Sequence, residues 1–281
     1  MQQLIEAVQK KGPVCVGLDT QYSFLPESIQ KKSGTECEKI LEFNRAIIDA
    51  TEDIAGCYKL QIACYEALGL DGMRAFAKTL QYARGRGNVT ITDAKRGDIS
   101  STAAQYACAH FSGDFETDVM TINVFMGEDA VSPYYPFLEQ GKGVFALVKT
   151  SNPSGKDFQD LITDGETLYA RTARKVSAWG ESFIGKSGFS AIGAVTGLTY
   201  PEEFERIRPL LPHTFLLIPG YGAQGGTGKD IAGFFREGVR GVVNSSRGLI
   251  TAHKGKREDA RFTEHIRAAV LAMKQDILQQ M

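Results

Sequence analysis

Residues 90–100 read TITDAKRGDIS, a β-favouring run that ends in Asp93, Lys95, Arg96 and Asp98. Alternate residues of a strand point to one side, so Asp93 and Lys95 are expected to project together. Burial alone would strip a lysine of its charge, whereas flanking carboxylates keep it protonated, as a proton donor must be. Asp98 lies beyond Gly97, where the chain turns toward the next helix. The plain alternative is a surface pair at 93 and 95 with Asp98 or Ser100 capping that helix. Arg96, between the inward positions, is expected to be a solvated or interface charge.

A second lysine, Lys59, stands in the apolar run CYKLQIACYEALG. An unpaired lysine there is costly. It is therefore expected to turn inward and pair with Asp19 or Asp93, the alternative being that it snorkels to the surface. Gln61 shares its facing and could reach a sugar hydroxyl.

Two later loops suit an anion. In IPGYGAQGGTGKD (218–230), glycines let backbone N–H groups approach a phosphate, and the following helix N-terminus adds a favourable dipole. The stretch fails the GxxxxGK[ST] pattern, because Asp230 follows Lys229. Ser246 ends the last apolar run and Arg247 follows it, and arginine grips phosphate through two parallel hydrogen bonds. Together these loops point to a phosphate-bearing ligand. In VKTSNPSG (148–155), Ser151 and Asn152 could bond the edge of a planar polar ring or form an ordinary turn.

Something must hold these residues at one place. Short apolar runs recur at 13–19, 56–63, 88–94, 118–124, 143–149, 189–195, 214–220 and 241–246. Their unbroken apolar character predicts strands buried on both faces, as in a parallel sheet. Helical patterns lie between and after them at 36–52, 70–86, 101–111, 128–139, 163–180, 200–210, 229–237 and 258–279. No linker or composition break interrupts the series. The reading is an α/β chain forming a single (β/α)8 TIM barrel domain over 1–281. An open doubly wound sheet is the alternative, disfavoured by the eight units and by the lack of a glycine-rich turn after the first strand. In such a barrel, chemistry gathers at the C-terminal strand ends and phosphate at the loops after strands seven and eight. The polar groups at those ends are Asp19, Lys59, Gln61, Asp93, Lys95, Asp98, Asn123, Lys149, Ser151, Thr196, the 219–226 loop, Ser246 and Arg247.

Composition excludes several classes. The net charge is −1 with no long run of one sign, which argues against a nucleic-acid partner or a polybasic membrane patch. No segment offers the ~18 consecutive apolar residues of a membrane span. The segment MQQLIEAVQKKG lacks the apolar core of a signal peptide, so a cytoplasmic location is expected. The five cysteines are odd in number and show no CxxC spacing, which predicts free thiols in a reducing compartment. The four scattered histidines offer neither a metal site nor a Ser-His triad.

Asp93-Ala-Lys95-Arg-Gly-Asp98-Ile99, with Thr102 beyond it, resembles the DxKxxDI…T signature of the orotidine 5′-phosphate decarboxylase family. Asp19, Lys59, TSNPSG, PGYGAQGG and SSRG follow the family's order over nearly the full chain. The forms SNPSG, GAQGG and NSSRG resemble its longer bacterial, type 2 subgroup. The resemblance implies conversion of orotidine 5′-monophosphate to uridine 5′-monophosphate and CO2 in de novo pyrimidine biosynthesis, without metal or cofactor. It implies a homodimer with shared active sites, in which Lys59, Asp93 and Lys95 form an alternating array with the other subunit's Asp98. Lys95 is then the proton donor to pyrimidine C6. Asp19 and the other subunit's Thr102 meet the ribose hydroxyls, Ser151 reads the pyrimidine edge, and Gln224 and Arg247 grip the phosphate, with Ser246 a further substrate contact. Two other readings stand beside this one. A metal-dependent sugar-phosphate lyase of the same suprafamily shares the DxKxxD core, but is expected to carry a carboxylate where this chain has Lys59. A non-catalytic phosphate-ligand sensor would not need Lys59, Asp93, Lys95 and Asp98 together.

Overall fold

The apolar runs form eight strands: β1 (Val14–Gly17), β2 (Cys57–Gln61), β3 (Thr90–Arg96), β4 (Val119–Ile122), β5 (Gly143–Lys149), β6 (Ile192–Thr196), β7 (Leu216–Pro219) and β8 (Gly241–Ser245). The structure is a computed structural model, and it describes residues 1–197, 201–222, 225–235, 238–256 and 259–280. Each strand pairs in parallel with its neighbours in sequence, and β1 pairs with β8, so the sheet closes on itself. This is the expected (β/α)8 barrel.

Strand alternation divides the apolar side chains. Outward residues such as Val14, Val16, Leu60, Ile122 and Val144 pack under the surrounding helices. Cys15, Cys57, Ile91, Val119, Phe145, Val195, Leu217 and Val242 instead form a second cluster with Leu4, Ile5 and Val8 of the helix Gln2–Lys11. That helix lies against the strands' N-terminal ends, where the Met1 amine donates to Gly141 O at 3.0 Å. Two residues further along β2, β3, β4 and β8 the same face carries Lys59, Asp93, Thr121 and Asn244, all buried. A hydrophobic plug thus supports a polar layer near the C-terminal mouth. Each fully buried large side chain in the plug contributes roughly 1.5–3 kcal/mol.

The helix Glu36–Thr51 opens with a capping box between Thr35 and Glu38 and braces the mouth from outside. Its buried Asn44 accepts from Thr20 Oγ1 (2.6 Å) and donates to Tyr65 Oη (2.9 Å), while Tyr65 Oη donates to Leu18 O (2.9 Å). Both neighbours of Asp19 are therefore pinned.

Two expected helices differ. Segment 128–139 is two 3-10 turns, Glu128–Ala130 and Ser132–Tyr134, followed by the short helix Tyr135–Glu139. Pro133 and Pro136 lack the amide hydrogen that a continuous helix needs. Segment 163–180 begins instead with a hairpin, Ile162–Thr163 against Glu166–Thr167. Asp164-Gly165 at its tip has φ of 51° and 80°, the conformation that short hairpin turns require. The helix Leu168–Gly180 starts only after that, capped by Thr167. Among the described residues, no helix is long and apolar enough to cross a membrane.

Candidate active site

At the C-terminal mouth lies a cavity of about 380 Å³. Its polar lining is Asp19, Lys59, Gln61, Asp93, Lys95, Thr121, Thr150, Ser151, Asn152 and Asn244, and Leu147, Val195, Leu217 and Pro219 supply an apolar wall. Such a mixture suits a flat, partly apolar ring carrying charged substituents.

Asp93 is the hub. Its Oδ2 accepts from Lys59 Nζ at 3.0 Å and Gln61 Nε2 at 3.1 Å, and its Oδ1 accepts from Lys95 Nζ at 2.6 Å and Thr121 Oγ1 at 2.9 Å. Burial pushes this carboxyl upward, but Lys59 and Lys95 outweigh it and hold the group well below the usual carboxylate range. Burial likewise opposes the charge on Lys59. Asp19, 3.2 Å away, and Asp93 outweigh it, so the ammonium is held above its ordinary value and stays protonated. The inward, paired lysine is the expected one.

The two lysines differ in access. The Lys59 side chain is 4% exposed and the Lys95 side chain 46%, so Lys95 is the more accessible of the two to a molecule in the cavity. Lys95 arrives there by an irregular route. Its φ is 47°, and the β3–β4 register shifts between Thr92 and Arg96. Its N–H donates to Thr121 Oγ1 at 2.9 Å, the hydroxyl that also donates to Asp93. Backbone in this region costs a lysine on the order of 1 kcal/mol or more, so it persists where neighbours fix it.

The other expected residues fall into groups. Ser151 and Asp19 line the cavity. Ser246 Oγ donates to Asp19 Oδ2 at 2.7 Å, joining loops 227 positions apart in sequence. Gly17 makes room for it, since a Cβ there would lie 1.8 Å from Ser246 Oγ. Arg247 is exposed and begins the short helix Arg247–Ile250 at the rim. Asp98 and Thr102 lie outside the cavity lining. The Asp98 carboxylate accepts from Ile99 N at 2.8 Å, and the helix Ser100–Phe111 has no side-chain cap, so neither Asp98 nor Ser100 caps it. Gln224 lies outside the described residues. On either side of it, Gly220, Gly222 and Gly225 adopt φ of 115°, 74° and 88°, as an anion loop built on glycine requires.

Four further residues have definite partners near the site. Arg96, outside the cavity lining, is partly exposed: it is 2.9 Å from Glu66 and its guanidinium lies 5.2 Å from the Tyr106 ring, so it also braces β3 against two helical segments. Gln61, which could reach a sugar hydroxyl, lines the cavity and donates to Asp93 Oδ2 at 3.1 Å. Thr121 was missed, although the alternation of DVMTINV puts Val119, Thr121 and Asn123 on one face. Asn123 itself forms the turn after β4, its Oδ1 accepting from Phe125 N at 3.0 Å, away from the cavity.

A closed barrel with an ammonium–carboxylate–ammonium array at the strand ends, open to a small cavity, defines an enzyme-like site of the (β/α)8 class. Residues 12–262 match the model of the orotidine 5′-phosphate decarboxylase / HUMPS family, and the chain belongs to that family. It is 48% identical over 280 residues to the orotidine 5′-phosphate decarboxylase of Clostridium kluyveri, covering 98% of this chain and 96% of that one. It is also 48% identical over 278 residues to the enzyme of that name from Petrotoga mobilis, with the same coverage. The structure of Leishmania donovani OMP decarboxylase superposes with a TM-score of 0.74 at 26% identity, covering 96% of this chain and 98% of that one. Leishmania donovani UMP synthase superposes with a TM-score of 0.77 at 29% identity, covering 96% of this chain and 56% of that longer one.

Proposed function

We propose that this protein decarboxylates orotidine 5′-monophosphate to uridine 5′-monophosphate, acting as one barrel domain without metal or cofactor. The observation that carries this reading is the position of Asp93 between Lys59 and Lys95, its Oδ1 2.6 Å from the accessible Lys95 ammonium. A pyrimidine placed with its C6 carboxylate against Asp93 sets two anions side by side. The repulsion is relieved as the C6–carboxylate bond breaks and CO2 leaves. The electron pair stays on C6, where Lys95 stabilises it and then delivers a proton; solvent reprotonates the amine. Interactions stronger at that stage than in the bound substrate accelerate the step.

The rest of the cavity serves binding. In this reading Ser151 meets the pyrimidine edge, and Asp19, held by Lys59 and Ser246, faces the ribose. Gln224 and Arg247 grip the phosphate, with Ser246 beside them, and remote binding energy from that grip orients the ring. Asp98 and Thr102, outside the lining of their own cavity, serve the other subunit of a homodimer. Exposed Ile99, Phe125 and Met126 provide apolar surface close by. The metal-dependent sugar-phosphate chemistry also found in this suprafamily fits less well, because the Lys59 ammonium stands between Asp19 and Asp93. One assay separates the two: incubation with orotidine 5′-monophosphate, with and without EDTA, following absorbance and CO2. Chelator-independent turnover is expected. No turnover would refute the assignment, and turnover abolished by EDTA would favour the metal enzyme.

A further inference from the structure

Lys149, at the end of β5, is 3% exposed and takes no part in the steps above. Its ammonium is ion-paired with Asp160, lies 3.2 Å from Glu203 and sits 5.0 Å from the centre of the Tyr169 ring. Asp160 belongs to the loop after β5, Glu203 to the helix Pro201–Ile207 after β6, and Tyr169 to the helix Leu168–Gly180. One buried cation therefore ties three segments together. Burial opposes its charge, and the two carboxylates outweigh burial.

The backbone beside it is equally constrained. Lys149 O accepts from Gly197 N at 2.9 Å. Thr150 N donates to Gln159 Oε1 at 3.0 Å, and Gln159 Nε2 returns a bond to Thr150 Oγ1 at 2.8 Å. Gly197 presses on the next residue, since a Cβ there would lie 2.8 Å from Ser151 Cα. Ser151 and Asn152, immediately beyond, line the cavity.

A buried ion cluster adds little net stability over an apolar residue of similar size, because desolvation consumes most of the attraction. Its effect here is geometric. The connection from β5 to the helix Leu168–Gly180 is long, and holding Ser151 in place before binding removes an ordering cost from the bound state. We propose that Lys149 is a positioning residue that fixes the Ser151–Asn152 edge for the pyrimidine ring, and so governs base affinity rather than phosphate affinity. This rests on the reading that Ser151 meets the pyrimidine.

The test compares calorimetric affinities of uridine 5′-monophosphate and ribose 5-phosphate for the wild-type protein, Lys149→Met, Asp160→Asn and Ser151→Ala. Lys149→Met should weaken the nucleotide about 10-fold or more while ribose 5-phosphate changes by less than about 2-fold. Equal loss for both ligands, or no loss, overturns the proposal. Should Lys149→Met fail to fold, Asp160→Asn decides: a smaller loss, roughly 3-fold, confined to the nucleotide supports it, and any other result overturns it. Ser151→Ala separates the two readings. If it leaves the nucleotide affinity intact, the pyrimidine assignment falls and this proposal with it. If it weakens the nucleotide while the Lys149 and Asp160 variants do not, only this proposal falls.

Discussion

Thr121 links two atoms that decide the geometry of the site: its hydroxyl accepts from Lys95 N and donates to Asp93 Oδ1, both at 2.9 Å. The same oxygen of Asp93 receives the Lys95 ammonium at 2.6 Å. Backbone, carboxylate and ammonium are thus locked by one residue on the neighbouring strand, at the point where β3 leaves regular geometry.

Thr121→Val keeps the shape and removes both bonds. The Lys95 amide loses its acceptor and Asp93 a donor, each worth about 1 kcal/mol or more when buried. Turnover should fall about 10- to 100-fold with KM nearly unchanged, and Thr121→Ser should restore most of it. Steady-state kinetics of the three proteins checks this; a valine variant with wild-type kcat refutes the link.

Lys95→Ala removes the proposed proton donor. A drop in kcat of at least about a thousandfold is expected, with uridine 5′-monophosphate affinity retained within about 10-fold, because the phosphate grip is distant. Single-turnover rates and calorimetry report the two quantities separately. Near-normal turnover would remove Lys95 from the mechanism.

Lys59→Met leaves Asp19 and Asp93 without their shared cation. Breaking a buried pair on one side costs about 3–5 kcal/mol, read as a lower urea midpoint at constant slope. Adding Asp93→Asn should recover part of that loss, since the stranded charge is gone. Additive losses in the double variant would show that the pairing carries no such coupling.

Mixing two inactive proteins tests the shared site. If Asp98 acts across a homodimer, subunit exchange between Asp98→Ala and Lys95→Ala should restore activity in up to about a quarter of sites, those built from the two unmutated halves. Activity that stays at the level of the separate variants would place Asp98 outside the partner's site.

Acid should destabilise the fold in two windows. Burial, aided by the Arg96 charge, holds His110 down to about 4 from 6.5. Between those values the unfolded chain binds a proton that the folded chain does not. Stability is therefore full above the upper value and falls by about 3 kcal/mol toward the lower one. Asp93 is depressed instead from a normal carboxylate value of 3.8, so its contribution is present above that pH and lost only below it. Denaturant titrations from neutral pH to pH 4 should show the first loss, and His110→Phe should flatten it. An unchanged slope in that variant would assign the effect elsewhere.

Sequence alone determined the barrel and the residue types at its mouth. Apolar runs such as PVCVGLD and GVFALVK carry their strand character locally, because burial on both faces requires it. A lysine inside CYKLQIA carries its own need for a partner. The breaks at 128–139 and 163–167 were also written locally, in Pro133, Pro136 and Asp164-Gly165, but a broad helical pattern hid them. Only the tertiary structure decided which charges meet. Ser246 reaches Asp19 because β8 closes on β1, and Gln61 and Thr121 join Asp93 because their strands flank β3. The left-handed backbone at Lys95 depends on the same packing. Such pairings are set by register and closure between strands far apart in the chain, and no spacing along one strand encodes them.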